Sequence, residues 1–487
     1  MLDSKTIRQI QAMDGRERER LRQFVASPYF NRHQPTVRLL EFLLKELAKA
    51  KPKITEERLA TAVAKGDKSL LPTEIDGRRI SDLLSGLMKL INKFLAVEQL
   101  SAEPFTEDTL TVKRAHATNR ADLLDNRGKW LERRLKRAKF TDAANHRAGF
   151  LLHEIRGYRN TRHRRKQDPD MLRMLEHLDR YWFFEKLRHT CHLSANAKLM
   201  ETSYDFPLIE ALLDYLASPA GATLREEEAG IDCYYHALLT IREEEDQRHY
   251  QHLIYYLGEG FGRISAATRG DAYLFASNYC IIRIGQRDRR YYRELFDLYR
   301  RGLATELIYE EDGELSEWNY KNIVTLGTNL RELEWTEIFL ERERPRLPAK
   351  QRDNAYALNK AAFLYAAGRL DEARDSLIFV DDKDEKYHAT YVTLQVKIAY
   401  DKAETDYALN LLETFRLFLQ RNKNMGGGSR DAYRSFVRLT KQLVNLKHQR
   451  DYTAHEVYAR KLAALNEKIV ANPRTAERAW LLAEVGE

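Results

Sequence analysis

A repeat with a 35-residue step constrains the fold of this chain more than any other feature of its sequence. It is carried by small and mid-sized apolar residues and their equivalents one step later: Ala361, Leu364, Gly368, Ala373 and Leu377, then Val396, Ala399, Ala403, Ala408 and Leu412. Small side chains at a fixed offset let two helices approach closely, and larger ones fill the space between them. The repeat predicts an all-α fold with little or no β-structure: an α-solenoid of antiparallel helix pairs.

A shortage of helix-breaking residues supports this prediction. The 487 residues include only 11 prolines and 22 glycines, fewer than the average usage of about 5% and 7%. A β-rich fold would need more turn residues. The segment Val392–Ile398 alternates apolar and polar residues as a strand would, but the repeat places it on the first helix of a pair.

Three helical domains are predicted. Residues 1–105 form an N-terminal helical domain that Pro104 closes, and residues 106–315 form a middle helical domain with aromatic-rich apolar faces. Leu172, Leu175, Leu178, Tyr181 and Trp182 are an example of such a face. Residues 316–487 form the C-terminal helical repeats.

Two resemblances agree with a helical-repeat protein. Tyr365-x-x-Gly368-x-x-Asp371-Glu372-Ala373-x-x-x-Leu377 resembles a tetratricopeptide repeat, although the Trp-x-x-Leu-Gly opening and the closing proline of that family are absent. The chain as a whole resembles a group of helical proteins from Bacteroidota. The segments that carry this second resemblance are Ser27–Asn31, Leu178–Trp182 with Lys186–Arg188, Asn322–Val324 and Trp480–Leu482. Both resemblances imply a helical architecture, and neither implies an activity.

The composition predicts a cytoplasmic protein. The longest stretch without a charged residue is Ala272–Ile282, with 11 residues, about half of the roughly 20 that a membrane-spanning helix needs. The N-terminal segment lacks the apolar core of a signal peptide. Three cysteines without a Cys-x-x-Cys pair fit a reducing compartment.

Basic residues are concentrated in one block. Residues 111–190 carry a net charge of +11, so the remaining chain carries −3 of the total +8. Two basic clusters stand out as a candidate surface for a nucleic acid or an acidic partner: Lys129, Arg133, Lys136 and Arg137 on one helix face, and Arg159, Arg162, Arg164, Arg165 and Lys166 further on. Phosphate groups would relieve the repulsion between these cations. A solvated helix face with local carboxylate pairs explains the same pattern.

Metal and cofactor motifs are incomplete in this sequence. His189, Cys191 and His192 lack a second ligand pair with zinc spacing, and Asp246-x-x-His249 is a single copy of a motif that di-iron sites need twice. Phosphate-loop, nucleophile-elbow and zinc-protease motifs are also absent. We therefore predict no metal, no cofactor and no catalytic residues.

The function that these features predict is that of a non-catalytic scaffold or adaptor. A helical-repeat chain would bind a protein partner through the concave surface of its solenoid. The alternative is a helical protein associated with RNA, DNA or the ribosome, which would use the basic block 111–190.

Overall fold

The computed structural model of the protein describes residues 4–65, 71–160, 168–200, 202–310, 312–381, 385–422 and 427–486. All regular secondary structure within these ranges is helical, and they contain no β-strand. No helix among the described residues combines the length and the apolar character that crossing a lipid bilayer requires.

Twenty-four α-helices lie in the described ranges. The first twelve are α1 (Lys5–Ala12), α2 (Gly15–Ala26), α3 (Gln34–Leu47), α4 (Glu56–Ala64), α5 (Gly77–Ala102), α6 (Thr106–Ala117), α7 (Ala121–Lys136), α8 (Ala143–Asn160), α9 (Pro169–Leu199), α10 (Ile209–Ala217), α11 (Pro219–Glu227) and α12 (Ala229–Arg242). The others are α13 (Gln247–Leu257), α14 (Ala266–Gly285), α15 (Arg290–Ala304), α16 (Glu317–Asn329), α17 (Leu333–Glu343), α18 (Arg352–Ala366), α19 (Leu370–Leu377), α20 (Glu385–Asp401), α21 (Thr405–Arg421), α22 (Gly427–Gln449), α23 (His455–Val470) and α24 (Arg478–Gly486).

The chain divides into two compact units. Unit 1 comprises Met1–His189 and Pro207–Ile231, and unit 2 comprises Thr190–Phe206 and Asp232–Glu487. The boundaries near residues 105 and 315 stay predictions.

Side-chain caps fix the start of several helices in unit 1. The carboxylates of Asp14 and Asp76 accept the backbone N–H groups of Glu17 and Arg79 at 2.7 and 2.8 Å, which begins α2 and α5. A capping oxygen satisfies an N–H group that the helix itself leaves unpaired, typically worth about 1 kcal/mol. Helices α1–α5 bury one apolar core, to which α5 contributes Ile80, Leu87 and Ile91.

Four helix pairs in unit 2 share one turn geometry, and three of them carry the repeat. The pairs of the repeat are α16 with α17, α18 with α19 and α20 with α21, and α16 packs on α18 and α18 on α20. The fourth pair is α14 with α15, where Arg287 has a φ angle of 70° and the N–H group of Asp288 donates to the carbonyl of Arg283. The turn residues Arg331, Gly368 and Ala403 all have positive φ angles, of 61°, 77° and 58°. The next N–H group in each turn donates to a carbonyl five residues back, as in the bond from Arg369 to Leu364. This bond is typical of the Schellman motif, which ends a helix on a left-handed residue.

The apolar positions of the 35-residue repeat lie in the interior of these pairs. Ala361, Ala373, Val396 and Ala408 are each fully buried. The segment Val392–Ile398 is helical, as the repeat predicts and its local alternation does not.

The turn geometry predicts opposite effects at two equivalent positions. A side chain at Gly368 would meet no atom within 4 Å, so Gly368→Ala is expected to destabilise unit 2 by about 1 kcal/mol through the positive φ alone. Ala403→Gly should stabilise it by a similar amount. Urea denaturation of the three proteins measures both effects. Gly270→Ala is the control: it is equally open but lies within α14 at an ordinary helical φ, so it should stabilise by about 0.5–1 kcal/mol. Equal effects at all three positions would contradict the argument.

Candidate interaction surface

A groove with a volume of about 660 Å³ opens in unit 1 between α6, α8 and α9. Its lining is mainly apolar and includes Phe105, Leu110, Phe150, Leu151, Leu178 and Tyr181. Open apolar grooves of this kind are typical of sites that accept a ligand or a helix of another protein.

Small side chains on α8 leave room for the groove. Ala143, Ala144 and Ala148 all line it, and Ala144 and Ala148, four residues apart, share one face of the helix. Because an alanine side chain ends at Cβ, these positions leave open the space that a longer side chain of α8 would occupy. Three large side chains remain accessible in the groove: Tyr158 is 59% exposed, Leu110 48% and Leu178 38%.

Backbone strain marks one end of the groove. Phe105, which precedes α6, has a φ angle of 63°, a conformation that costs a bulky residue roughly 1–2 kcal/mol. Its ring lies 5.0 Å from the guanidinium carbon of Arg134. Strained residues of this kind are concentrated at functional sites.

The charged groups of the groove are unevenly paired. Glu103 accepts hydrogen bonds from Gln99 and Thr106, and Glu185 pairs with Arg188 at 2.8 Å. Lys113 and Arg147 are exposed in the groove, and neither forms an ion pair within 4 Å with a carboxylate of the described residues. After the hydrogen bonds from Gln99 and Thr106, the charge of Arg147 also contributes to lowering the pKa of Glu103. The groove therefore offers two basic groups to an incoming ligand.

A buried histidine cluster joins two walls of this groove. His146 and His153 lie on α8 and His177 on α9, and the Nδ1 atoms of His146 and His177 are 3.3 Å apart. The ring of His177 lies so close to Gly149 that a Cβ there would meet it at 2.6 Å. His153 pairs with Asp170 at 2.7 Å. The cluster is a polar contact that holds α8 against α9.

Glu228 anchors the same cluster from the turn between α11 and α12. Its carboxylate is buried and accepts hydrogen bonds from Thr141 at 2.5 Å, Arg180 at 3.1 Å and His146 at 3.2 Å. Burial alone would raise the pKa of Glu228, but the bonds from His146 and Thr141 and the charge of Arg180 lower it.

The cluster predicts a loss of stability in mild acid. Burial, followed by the charges of His146 and His153, lowers the pKa of His177 to about 4 from the ordinary 6.5. The unfolded chain therefore binds more protons between pH 6.5 and pH 4, so the stabilisation present above pH 6.5 is lost as the pH falls through this window. Because His177 is partly exposed, we expect a loss of about 2 kcal/mol.

Denaturation of unit 1 at pH 7.5 and pH 4.5 measures this loss. In His177→Gln the difference between the two pH values should shrink by that amount, whereas His189→Gln, an exposed histidine on the same helix, should leave it unchanged. An unaltered difference in His177→Gln would contradict the assignment.

The first predicted basic cluster is exposed on α7. Lys129, Arg133, Lys136 and Arg137 are all exposed, and Lys136 pairs with Glu132 at 2.9 Å. The Nε–H of Arg133 donates to the Lys129 carbonyl. Within the described ranges no carboxylate pairs with Lys129, Arg133 or Arg137. This face of α7 thus combines an ion pair with three cations that lack one.

The second predicted cluster is described only in part. Arg159 pairs with Asp125 at 2.6 Å, and Arg162, Arg164, Arg165 and Lys166 lie outside the described residues. Trp130, the exposed aromatic residue of α7, has the guanidinium groups of Arg134 and Arg127 at 4.8 and 5.9 Å from its ring.

The three residues of the first incomplete metal motif have different partners. His189 pairs with Glu185 at 3.1 Å, and His192 pairs with Asp271 at the same distance. Cys191 is fully buried, and its Sγ lies 3.5 Å from the carbonyl oxygen of Tyr234. In the second motif, His249 Nε2 lies 3.7 Å from both Asp246 and Glu243.

Sequence reasoning missed the groove and the histidine cluster. The available signal on α9 was Leu178, which lines the groove, whereas Leu172, Leu175 and Trp182 of the same helix do not. Leu172, Leu175, Leu178 and Trp182 are exposed and do not form a core face. Histidines 31 residues apart, such as His146 and His177, carry no local pattern at all.

Comparison with family models, curated proteins and solved structures finds no match for this chain.

Proposed function

We propose that this protein is a non-catalytic scaffold or adaptor that holds an amphipathic helix of a partner protein in the groove of unit 1. The observation that carries the proposal is the groove itself, with its apolar lining and its accessible Leu110 and Leu178. A helix bound there would bury its apolar side chains against these two leucines. Acidic residues at its edges would pair with Lys113 and Arg147.

The proposal assigns the C-terminal helix pairs to an α-solenoid of tetratricopeptide-like units. It is supported by the packing of α16 on α18 and of α18 on α20. The shared turn at Arg331, Gly368 and Ala403 also supports it. The concave surface of such an array would offer a second place for a protein partner. The protein would act in the cytoplasm, since its three cysteines are all free thiols.

Site-specific crosslinking tests the groove. A photo-crosslinking residue at position 110 should capture one partner protein, and Leu178→Glu in the same chain should abolish the capture. The matched control places the crosslinker at Leu172, which is 63% exposed on α9 and does not line the groove. Equal capture from both positions, or capture that survives Leu178→Glu, would exclude the groove as the binding site.

A second candidate function is binding of RNA or DNA by the basic face of α7. It is favoured by the three exposed cations Lys129, Arg133 and Arg137, which have no carboxylate partner among the described residues. Binding through phosphate contacts weakens steeply as salt rises. Charge reversal of these three residues to glutamate should remove both the affinity for RNA or DNA and its salt dependence. Reversal of Arg20, which pairs with Glu98, is the control.

A further inference from the structure

Two ligand-type side chains of α12 and one of α13 come together in unit 2. Asp232 and His236 lie one turn apart on α12, and His252 lies on α13. The nitrogen and oxygen atoms that could bind a metal in these three residues all lie within 4.8 Å of one another. The rings of His236 and His252 are stacked, with centroids 3.7 Å apart.

Two neighbouring side chains, Tyr256 and His249, contact this group and orient it. The hydroxyl of Tyr256 donates to Asp232 Oδ2 at 2.8 Å, while Oδ1 of the same carboxylate faces His236 Nε2 at 3.6 Å. On its other side, His236 Nδ1 lies 2.9 Å from His249 Nδ1. Metal-binding histidines and carboxylates have such partners on the atoms that do not face the metal, because these contacts fix the tautomer and the ring orientation.

The donor set suits a particular class of cation. Two imidazole nitrogens and one carboxylate oxygen are ligands that Zn²⁺ accepts, with a fourth position left for water. Donors at about 2.0–2.2 Å from a tetrahedral ion lie about 3–3.5 Å apart, closer than in this group. The lone pair of an imidazole nitrogen lies in the ring plane, so the stacked rings of His236 and His252 cannot both bind one ion as they stand. His252 is exposed, so its ring can turn out of the stack and bring a nitrogen towards the other two donors.

We propose that Asp232, His236 and His252 form a binding site for one Zn²⁺-class divalent cation, with Tyr256 and His249 as positioning residues. The site goes beyond the proposed scaffold function and does not depend on the groove. Because its ligands come from two helices, a bound ion would link α12 to α13.

A second group of ligands competes with the first. Glu243, Asp246 and His249 also lie close enough together to hold a cation, and the contact between His249 and His236 connects the two groups. Of two neutral imidazoles that share a hydrogen bond through Nδ1, one donates its proton and the other accepts it. The donor has a free lone pair on Nε2, whereas the acceptor carries its proton there. Only one of the two histidines can therefore bind a metal through Nε2 at a time.

The structure favours the first group in this competition. Both carboxylate oxygens of Asp246 already accept hydrogen bonds from Arg248, at 2.6–3.1 Å. A guanidinium in this position opposes a cation. The charge of Arg263 also acts on Asp232 of the first group, so the number of imidazoles is the stronger argument. The first group supplies two imidazoles, and the second only one. We therefore expect one equivalent of metal per chain, bound at Asp232, His236 and His252.

Calorimetric titration of the chelator-treated full chain with Zn²⁺ tests the site, with Co²⁺ as a spectroscopic substitute. Wild-type protein should bind one equivalent at micromolar concentration. Asp232→Asn and His252→Ala should each weaken binding by more than the roughly 10–100-fold that loss of an outer-shell partner costs. Asp246→Asn and His189→Ala should bind as wild type does. Circular dichroism shows whether each variant is folded, and hydrogen exchange of α12 and α13 should slow when Zn²⁺ is added.

Several results would overturn the proposal. One is wild-type protein that binds no Zn²⁺ or two equivalents. Another is unchanged binding by a folded His252→Ala variant. A third is loss of binding in Asp246→Asn with full binding in His252→Ala, which would place the ion in the second group.

Discussion

Replacement of Glu228 by alanine is expected to lower the free energy of unfolding of unit 1 by about 3–4 kcal/mol. The carboxylate is 5% exposed and is the common acceptor for Thr141, His146 and Arg180. Its removal leaves these buried or half-buried donors without their partner, which is the costly way to break a buried ion pair. Hydrogen exchange of α8 and α9, followed through denaturant, measures the loss locally.

The neighbouring residue provides the control for this experiment. Glu227 also pairs with Arg180, at 2.9 Å, but its side chain is 56% exposed. An exposed pair contributes at most about 1 kcal/mol, so Glu227→Ala should have a small effect. If both variants lost equal stability, burial of the Glu228 carboxylate would not be the cause.

The second large effect is expected at Gly221, near the start of α11. A Cβ at this position would lie 2.1 Å from the carbonyl oxygen of Tyr215 and 2.5 Å from the Cα of Leu216. Both are backbone atoms of α10, so no side chain can rotate away. Gly221→Ala must push the two helices apart, and we expect it to destabilise unit 1 by about 3 kcal/mol.

Gly86 is the matched control for Gly221. It lies in the interior of α5, and a Cβ there would meet no atom within 4 Å. Alanine should therefore stabilise the helix by about 0.5–1 kcal/mol, since glycine is the poorer helix former. Equilibrium denaturation of both variants gives the two signs. A neutral or stabilising Gly221→Ala would contradict the close approach of α10 and α11.

The helical fold was predictable because helix formation follows local rules. The 35-residue repeat marks positions such as Ala361 and Val396, which are buried in the structure, and it identifies α20 as a helix against its local alternation. The predicted α-solenoid remains a proposal, since sequence spacing alone does not give the angle between successive pairs.

The surfaces were less predictable, since exposure depends on packing between distant segments. The apolar residues of α9 favour a core face, yet Leu172 and Trp182 are exposed. The predicted cations of α7 are indeed at the surface, but sequence could not show that, among the residues that the structure describes, only Lys136 has a carboxylate partner. In unit 2, Asp246-x-x-His249 indicates half of a site, whereas Asp232, His236 and His252 form a separate group that only the packing of α12 and α13 brings together.

The turns at Arg331, Gly368 and Ala403 affect how a sequence search would recognise these repeats. One of these turns has the expected glycine, and the others have an alanine and an arginine at the same backbone angle. A search keyed to glycine would count one hairpin where the backbone has three. Substitution at the bends can thus hide a helical hairpin from a residue pattern, while the main-chain hydrogen bonds still show it.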